Sequence, residues 1–300
     1  MSRRITPHGV VVGVDGSPSS SAAVRWAVGE AVSRHVGLTV VHIVPPMPVA
    51  TSTLGWPVGQ LPDEILEIQE SDGRRIVADA VELAGEGLSV DARPEINGEF
   101  IFGGIVPTLA DLSKDAALTV VGCRGRTARH RRLLGSISTG LIHHGHGPIA
   151  VVHDEAPPLS GSAHLPVLLG IDGSRASELA TEIAFDEASR RAVDLVALHV
   201  WSDTDVPLAR SLEASALQSG AEEVLSERLG GWHERYPEVV VHRLVKYDHP
   251  AQQLLDESER AQLIVVGSHG RGGFAGMLLG SVGTAVAEAA RVPVIVARHR

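Results

Sequence analysis

The chain has 300 residues, long for one ordinary α/β unit and sized for two of about 150 each. Hydrophobic residues at 44% and charged residues at 21% exclude a disordered chain, and with aromatics at only 3% the cores must be built from Val, Ile, Leu and Ala. A net charge of −10 argues against a protein that wraps nucleic acid or lies on an anionic membrane, and a single cysteine, Cys123, excludes both a disulfide framework and a Cys-rich zinc site.

In chain order, Val10 to Val14 is a short β-branched run without alternation, as expected of a strand buried on both faces of a parallel sheet. Ser17-Pro18 reads as an N-cap followed by the first helical position. The helix it opens, Ser19 to Arg34, carries Ala23, Trp26, Ala27 and Ala31 on one face. Leu38 to Val44 is the next strand. A Pro-rich excursion, Pro45 to Pro62, leads into a helix over Glu64 to Ala84. Leu88 to Arg93 is predicted as the third strand, Ile105 to Lys114 as the third helix and Ala117 to Val121 as the fourth strand. Ser136 to His144 and Pro148 to Val152 close the unit as helix and strand. Asp154 to Ala163, rich in Pro, Gly and Ser, reads as a linker, so the expected division is 1–153, 154–163 and 164–300. Beyond it, strands are predicted at Val167 to Ile171, Leu195 to Val200, Val239 to Val245, Leu263 to Val266 and Val294 to Ala297, with an excursion at Trp201 to Arg210. Alternating strands and helices with right-handed crossovers make a doubly wound parallel sheet in each half. Ligands in such sheets bind at the carboxyl ends of the strands, where strand order reverses.

The second half repeats the first. Val11 to Ser17 (VVGVDGS) returns as Leu168 to Ser174 (LLGIDGS), offset by 157, and Val120 to Arg126 (VVGCRGR) as Val265 to Arg271 (VVGSHGR), offset by 145. Leu133-Leu134-Gly135-Ser136 returns as Leu278-Leu279-Gly280-Ser281, and Pro148 to Val152 as Pro293 to Ala297. One domain has been duplicated, and the second copy is twelve residues shorter in its middle.

The strongest motif is Gly122-x2-Gly125-x9-Gly135-Ser136, repeated as Gly267-x2-Gly270-x9-Gly280-Ser281. Without a Cβ, Gly122 and Gly125 let a ligand approach the backbone and make positive φ cheap. Ser136 opens a helix, whose unpaired N–H groups and positive dipole end favour a phosphate. The plainer reading is a tight turn and a helix cap, and retention of the whole spacing in both copies weighs against it.

These motifs, with the Val-Asp-Gly-Ser end of the first strand and the Pro-Ile-Ala-Val-Val last strand, resemble the universal stress protein family, in its tandem, ATP-binding actinobacterial branch. The likeness runs from Val10 to Val152 and from Val167 to Ala297. It implies two tandem Rossmann-like domains of the adenine nucleotide alpha hydrolase type, each a five-stranded parallel sheet of order 3-2-1-4-5 flanked by helices. The last strands would pair across a two-fold relating the halves, making an intramolecular pseudo-dimer that leaves room for a homodimer of chains. The resemblance also places ATP at each switch point. Asp15, with Val14 and Gly16, would lie near adenine and ribose or the metal-bearing phosphates, and Ile43 would hold adenine through its backbone. Val121 and Gly122 would flank ribose and phosphates, while Gly125, Gly135, Ser136 and Ile137 cradle the phosphate tail. The same roles fall to Ile171, Asp172, Gly173, Val200, Val266, Gly267, Gly270, Gly280, Ser281 and Val282. Asp15 also reads simply as an Asx-turn into the following helix.

Other signals point elsewhere with less force. Arg124 and Arg126 are candidate phosphate neighbours, whereas Arg129, Arg131 and Arg132 read as a solvated or partner-facing surface. His143, His144 and His146 suggest a metal tract, but their counterparts Glu288, Ala289 and Arg291 do not keep it, so helix-end capping is preferred. Cys123 aligns with Ser268 and has no evident base for nucleophilic work. The only lysines, Lys114 and Lys246, follow no glycine, which excludes a Gly-x4-Gly-Lys phosphate loop. Gly13-Val14-Asp15-Gly16 lacks the Gly-x-Gly-x2-Gly of a dinucleotide fold, and no apolar stretch approaches the roughly 18 residues of a membrane helix. The expectation is a cytoplasmic ATP-binding regulator of stress or dormancy acting through an unidentified protein partner, with no catalytic residues. Magnesium would ride on the ATP phosphates and not in a protein-only site. The alternative is a weak ATPase or phosphoryl-transfer enzyme, which would need a positioned base and a charge stabiliser.

Overall fold

The computed structural model describes residues 8–46, 63–89, 93–125, 134–154, 163–201, 214–270 and 280–298. The first half runs β1 (Val10–Gly13), α1 (Pro18–Arg34), β2 (Leu38–Val44), α2 (Asp63–Gly85), β3 (Ile96–Phe102), α3 (Ile105–Ser113), β4 (Leu118–Gly122), α4 (Ser136–His144) and β5 (Ile149–Val152). The second runs β6 (Val167–Gly170), α5 (Arg175–Arg191), β7 (Leu195–Trp201), α6 (Ala214–Leu229), a single turn α7 (Trp232–Arg235), β8 (Val241–Tyr247), α8 (Pro250–Ser258), β9 (Leu263–Gly267), α9 (Ser281–Ala289) and β10 (Val294–Ala297). Of the excursions Pro45 to Pro62 and Trp201 to Arg210, residues 47–62 and 202–210 lie outside the described residues, as do 155–162 of the expected linker and Arg126, Arg129, Arg131 and Arg132, while Trp201 ends β7.

Local chemistry starts and stops the first helix of each half in the same way. Ser17 Oγ accepts from Ser20 N at 3.1 Å, and Ser174 Oγ from Ser177 N at 3.2 Å, each satisfying one orphan donor of the first turn. At the other end His35 and Ala192 adopt left-handed φ of 55° and 51°, a strained setting for side-chain-bearing residues that closes both helices at matching positions.

All ten strands form one sheet of order β3-β2-β1-β4-β5-β10-β9-β6-β7-β8. Each half is parallel in the order 3-2-1-4-5, and β5 meets β10 antiparallel, pairing Val151 with Val294, Ala150 with Ile295 and Ile149 with Val296. The pleat sends Val10 and Val12 into the core beneath α1 and α2, and Val11 into the core beneath α3 and α4. Both cores continue across the β5–β10 seam, because residues of the two halves share each of them.

Two strands lie where the apolar runs did not put them. The strand that pairs with β2 is Ile96–Phe102, from Leu38↔Ile96 through Val44↔Phe102, beyond the predicted Leu88 to Arg93, of which residues 90–92 lie outside the described residues. Leu88 instead packs on the core just past the end of α2. The true strand is a sheet edge containing Asn97-Gly98-Glu99, which reads as a turn. Gly98 is needed there because a Cβ would come within 2.6 Å of Val77 on α2. In the second half β8 starts at Val241, two residues after the predicted Val239, a buried loop residue. Edge strands carry a weak apolar signature, so pairing decides their limits.

On the α1/α5 face the halves are joined by buried charge. Glu30 and Arg34 of α1 stand at the positions of Glu187 and Arg191 of α5, offset by 157. Each arginine pairs with the glutamate four residues before it, Arg34 Nε–Glu30 at 3.0 Å and Arg191 Nε–Glu187 at 3.1 Å. Each also reaches the glutamate of the other half. Arg190 adds a further bond to Glu187 at 2.8 Å; its counterpart is Ser33. Burial pushes the Glu187 carboxyl up, but Arg34, Arg191 and Arg190 outweigh it and hold it at about 2. For Glu30 the balance reverses: burial, then the charge of Glu187, raise it above the ordinary value against Arg191 and Arg34.

Candidate functional site

The strand order reverses between β1 and β4, and the helices that follow them, α1 and α4, leave to opposite faces. A cleft of about 510 Å³ opens at that point. Of the ten residues singled out in the first half, Val14, Asp15, Ile43, Val121, Gly122, Gly125, Gly135, Ser136 and Ile137 line it. Gly16 stands outside the lining. With φ of 76° it turns the chain from β1 into α1, a conformation that costs glycine little.

The floor is held by a cross-braced pair of loops. Asp15 Oδ1 accepts from Ser17 N at 3.0 Å, so the Asx-turn is real. Its Oδ2 lies where a Cβ on Gly125 would come within 2.8 Å, so the carboxylate and the glycine loop need each other's shape. Ser17 Oγ donates to Arg124 O at 3.3 Å, and Gly135 N donates to Cys123 O at 2.8 Å. The loop from Cys123 to Gly125 is thus tied to both helix starts.

Gly122 plays a different part from the expected one. Neither it nor Gly125 uses positive φ. A Cβ on Gly122 would lie 2.6 Å from Ser19 C and 2.7 Å from Ser19 O, and one on Gly267 would lie 2.9 Å from Ala176 C. These glycines let the first helix of each half approach β4 and β9, the direction in which a side chain would point, while Gly122 itself still lines the cleft.

At the far wall α4 begins with Gly135 as N-cap (φ −67°, ψ 155°), which brings no side chain to the first-turn N–H groups. Ser136, exposed, opens this helix. Arg124 is the cation among the lining residues, and Ile43, Val44, Ile105, Leu109, Val121, Leu134 and Ile137 supply the apolar walls. The cleft therefore has one apolar region and one region of N–H groups, hydroxyl and guanidinium, beside a carboxylate. Such a division suits a flat apolar ring joined to a charged tail.

His42, unforeseen from sequence, lines the cleft with Nδ1 2.6 Å from Val14 O. In the other half His199 Nδ1 lies 2.7 Å from Ile171 O. The signal that could have revealed the pair was the repeat itself, which places His42 and His199 at the same offset as Asp15 and Asp172.

The second half rebuilds this geometry closely. Asp172 Oδ1 accepts from Ser174 N at 2.9 Å, and a Cβ on Gly270 would come within 2.7 Å of Asp172 Oδ2. Ser174 Oγ donates to His269 O at 3.1 Å, and Gly280 N to Ser268 O at 2.8 Å. Gly173 has φ of 81°, Ile171, Val200 and Val266 are buried at strand ends, and Gly280 caps α9, which starts Ser281-Val282. The chief substitution is His269 where the first half has Arg124.

His143 and His144 end α4, and no group of three or more metal-ligating side chains is formed among the described residues. The cap at this helix end comes from the other half, for Arg298 Nε donates to Gly145 O at 3.0 Å and its Nη1 to Ile142 O. Cys123 is buried against Ser19, and burial pushes its thiol up, away from the reactive thiolate. Among the described residues, no helix is long and apolar enough to cross a membrane.

Fold and cleft together define a tandem doubly wound α/β protein with its cleft at the switch point and its halves fused through their last strands. The chain belongs to the universal stress protein family, whose sequence profile matches residues 8–153 and 165–298. It is 52% identical over 291 residues to universal stress protein Rv2623 of Mycobacterium tuberculosis, covering 97% of this chain and 96% of that one. To universal stress protein Rv2005c of the same organism it is 51% identical over 299 residues and the full length of both. The crystal structure of a universal stress protein from Archaeoglobus fulgidus superposes with a TM-score of 0.69 at 20% identity, covering 97% of this chain and 98% of that one, which supports the fold.

Proposed function

We propose that this universal stress protein is an ATP-binding regulator with one nucleotide site in each domain, the domains being 1–153 and 164–300. The observation that carries the reading is the two-part cleft at the β1/β4 switch point. Its Gly125–Asp15 cradle has no room for a side chain, and its polar region is the start of α4 with Arg124. Ile43 and the apolar walls would hold adenine; Gly125, Gly135, Ser136 and Ile137 would take the phosphates, with Arg124 adding charge. Asp15 sits where it could carry magnesium on those phosphates. Asp172, Val200, Gly270, Gly280, Ser281 and Val282 would serve the second site, where His269 replaces the permanent cation.

Binding is favoured over turnover by the chemistry of the lining. Among the described lining residues, the titratable side chains beside Arg124 are Asp15 and His42, and both are engaged in fixing the β1–α1 connection. Phosphoryl transfer needs a free positioned base as well as a charge stabiliser. ATP occupancy would then be read by a protein partner in the cytoplasm, with neither nucleic acid nor membrane involved. The test is to denature the purified protein and identify the released nucleotide, then titrate ATP calorimetrically. ATP at up to two per chain supports the proposal. Release of NAD, or turnover of about one per second or faster, in the ordinary enzyme range, overturns it.

A further inference from the structure

The two halves differ where the last strands end, and a second cleft opens there. At the end of β10, Arg298 lays its guanidinium on the C-terminus of α4, donating to Gly145 O and Ile142 O. The repeat puts His153 in the same position at the end of β5, with Ala290, after α9, in place of Gly145. Histidine is shorter than arginine, and a cleft of about 790 Å³ lies between the halves at that point. It is lined by His153 and Ala290, by Glu288 and Arg291 from the end of α9, by Arg124 and by His249 before α8. At the three positions matching Arg124, Arg291 and His249, the opposite side of the seam carries His269, His146 and Gly104. One side has thus lost the plugging arginine and gained two other guanidinium groups. Its size falls within the roughly 300–1,000 Å³ of small-molecule sites.

We infer that this inter-half cleft is a binding site for a small organic anion, separate from the nucleotide clefts. Among the described lining residues, two guanidinium groups and two imidazoles stand with one carboxylate, Glu288, a balance that selects for negative charge. Leu255 and Ala290 provide apolar wall for a compact carbon body. Arg124 lines this cleft and the first nucleotide cleft alike, so a ligand in one shares a charged wall with a ligand in the other.

The test is calorimetric titration of phenyl phosphate into the full chain, with benzamidine, of similar shape and opposite charge, as the second probe. The expected result is saturable binding of one phenyl phosphate that Arg291→Ala, at an exposed position, weakens by about tenfold, the loss of one charge-assisted contact. His153→Arg, which recreates the plug seen at Arg298, should abolish binding. ATP affinity should stay unchanged in both variants, since neither residue lines the first nucleotide cleft. Absence of saturable binding, binding indifferent to Arg291→Ala, or tighter binding of benzamidine overturns the inference. Because phenyl phosphate and ATP are scored separately, failure here leaves the nucleotide reading standing, and the converse holds.

Discussion

Glu187→Gln should be among the most damaging isosteric changes in the molecule. Glu187 is fully buried and accepts from Arg34, Arg190 and Arg191, so removing its charge leaves three guanidinium groups beside the carboxylates of Glu30 and Asp186, with Gln262 Oε1 still accepting from Arg191. Breaking a buried pair from one side costs about 3–5 kcal/mol, and the lower end applies because the amide oxygen still accepts one hydrogen bond. At roughly 2–4 °C per kcal/mol for domains of this size, the midpoint should fall by about 6–12 °C. Glu30→Gln should cost less, because burial and the neighbouring Glu187 charge already disfavour the ionised form of Glu30. The pH profile carries the same asymmetry. Glu187, held at about 2 against an ordinary 4.5, contributes stability that is present above the ordinary value and lost as pH falls from there towards 2. Glu30, raised, does the opposite: its ionisation is a cost at neutral pH that is relieved as pH falls through its folded value. Thermal melts between neutrality and pH 3 should therefore show wild type losing stability steeply only at the acid end, with Glu187→Gln flattening that loss. Equal losses from the two glutamine variants, or an unchanged acid limb, would refute the reasoning.

Three further outcomes follow from the cleft. Gly125→Ala puts a methyl 2.8 Å from Asp15 Oδ2, so ATP binding in the first half should weaken by about tenfold or more while the second half keeps its affinity; calorimetric stoichiometry reads this directly. Gly122→Ala meets Ser19 backbone instead, so it should lower global stability by about 1–3 kcal/mol in urea unfolding even without nucleotide. Arg124→Ala should weaken first-site ATP binding by about tenfold and flatten its salt dependence, whereas His269→Ala should leave the first site untouched.

Much of the fold was legible because it rests on interactions close in sequence. The buried strands β1, β4, β5 and their repeats announce themselves as unbroken β-branched runs, and Ser17-Pro18 marks a helix start that the structure realises with a hydrogen bond. β3 was not legible, since an edge strand shows half its surface to solvent and takes its register from β2. The glycines illustrate the limit at the cleft. Spacing identifies Gly122 and Gly125 as one motif, yet it cannot tell that one faces a helix backbone and the other a carboxylate. His42 and the ion-pair quartet were hidden for another reason: their partners lie 28 and more than 150 residues away.

The direction of the seam has a consequence for recognition. Because β5 and β10 run in opposite senses, the carboxyl ends of the first five strands and of the last five emerge at opposite margins of a single slab. A flat neighbour laid along one margin meets the strand ends of one half and misses those of the other. Engaging both needs two neighbours, or one long enough to fold around the slab.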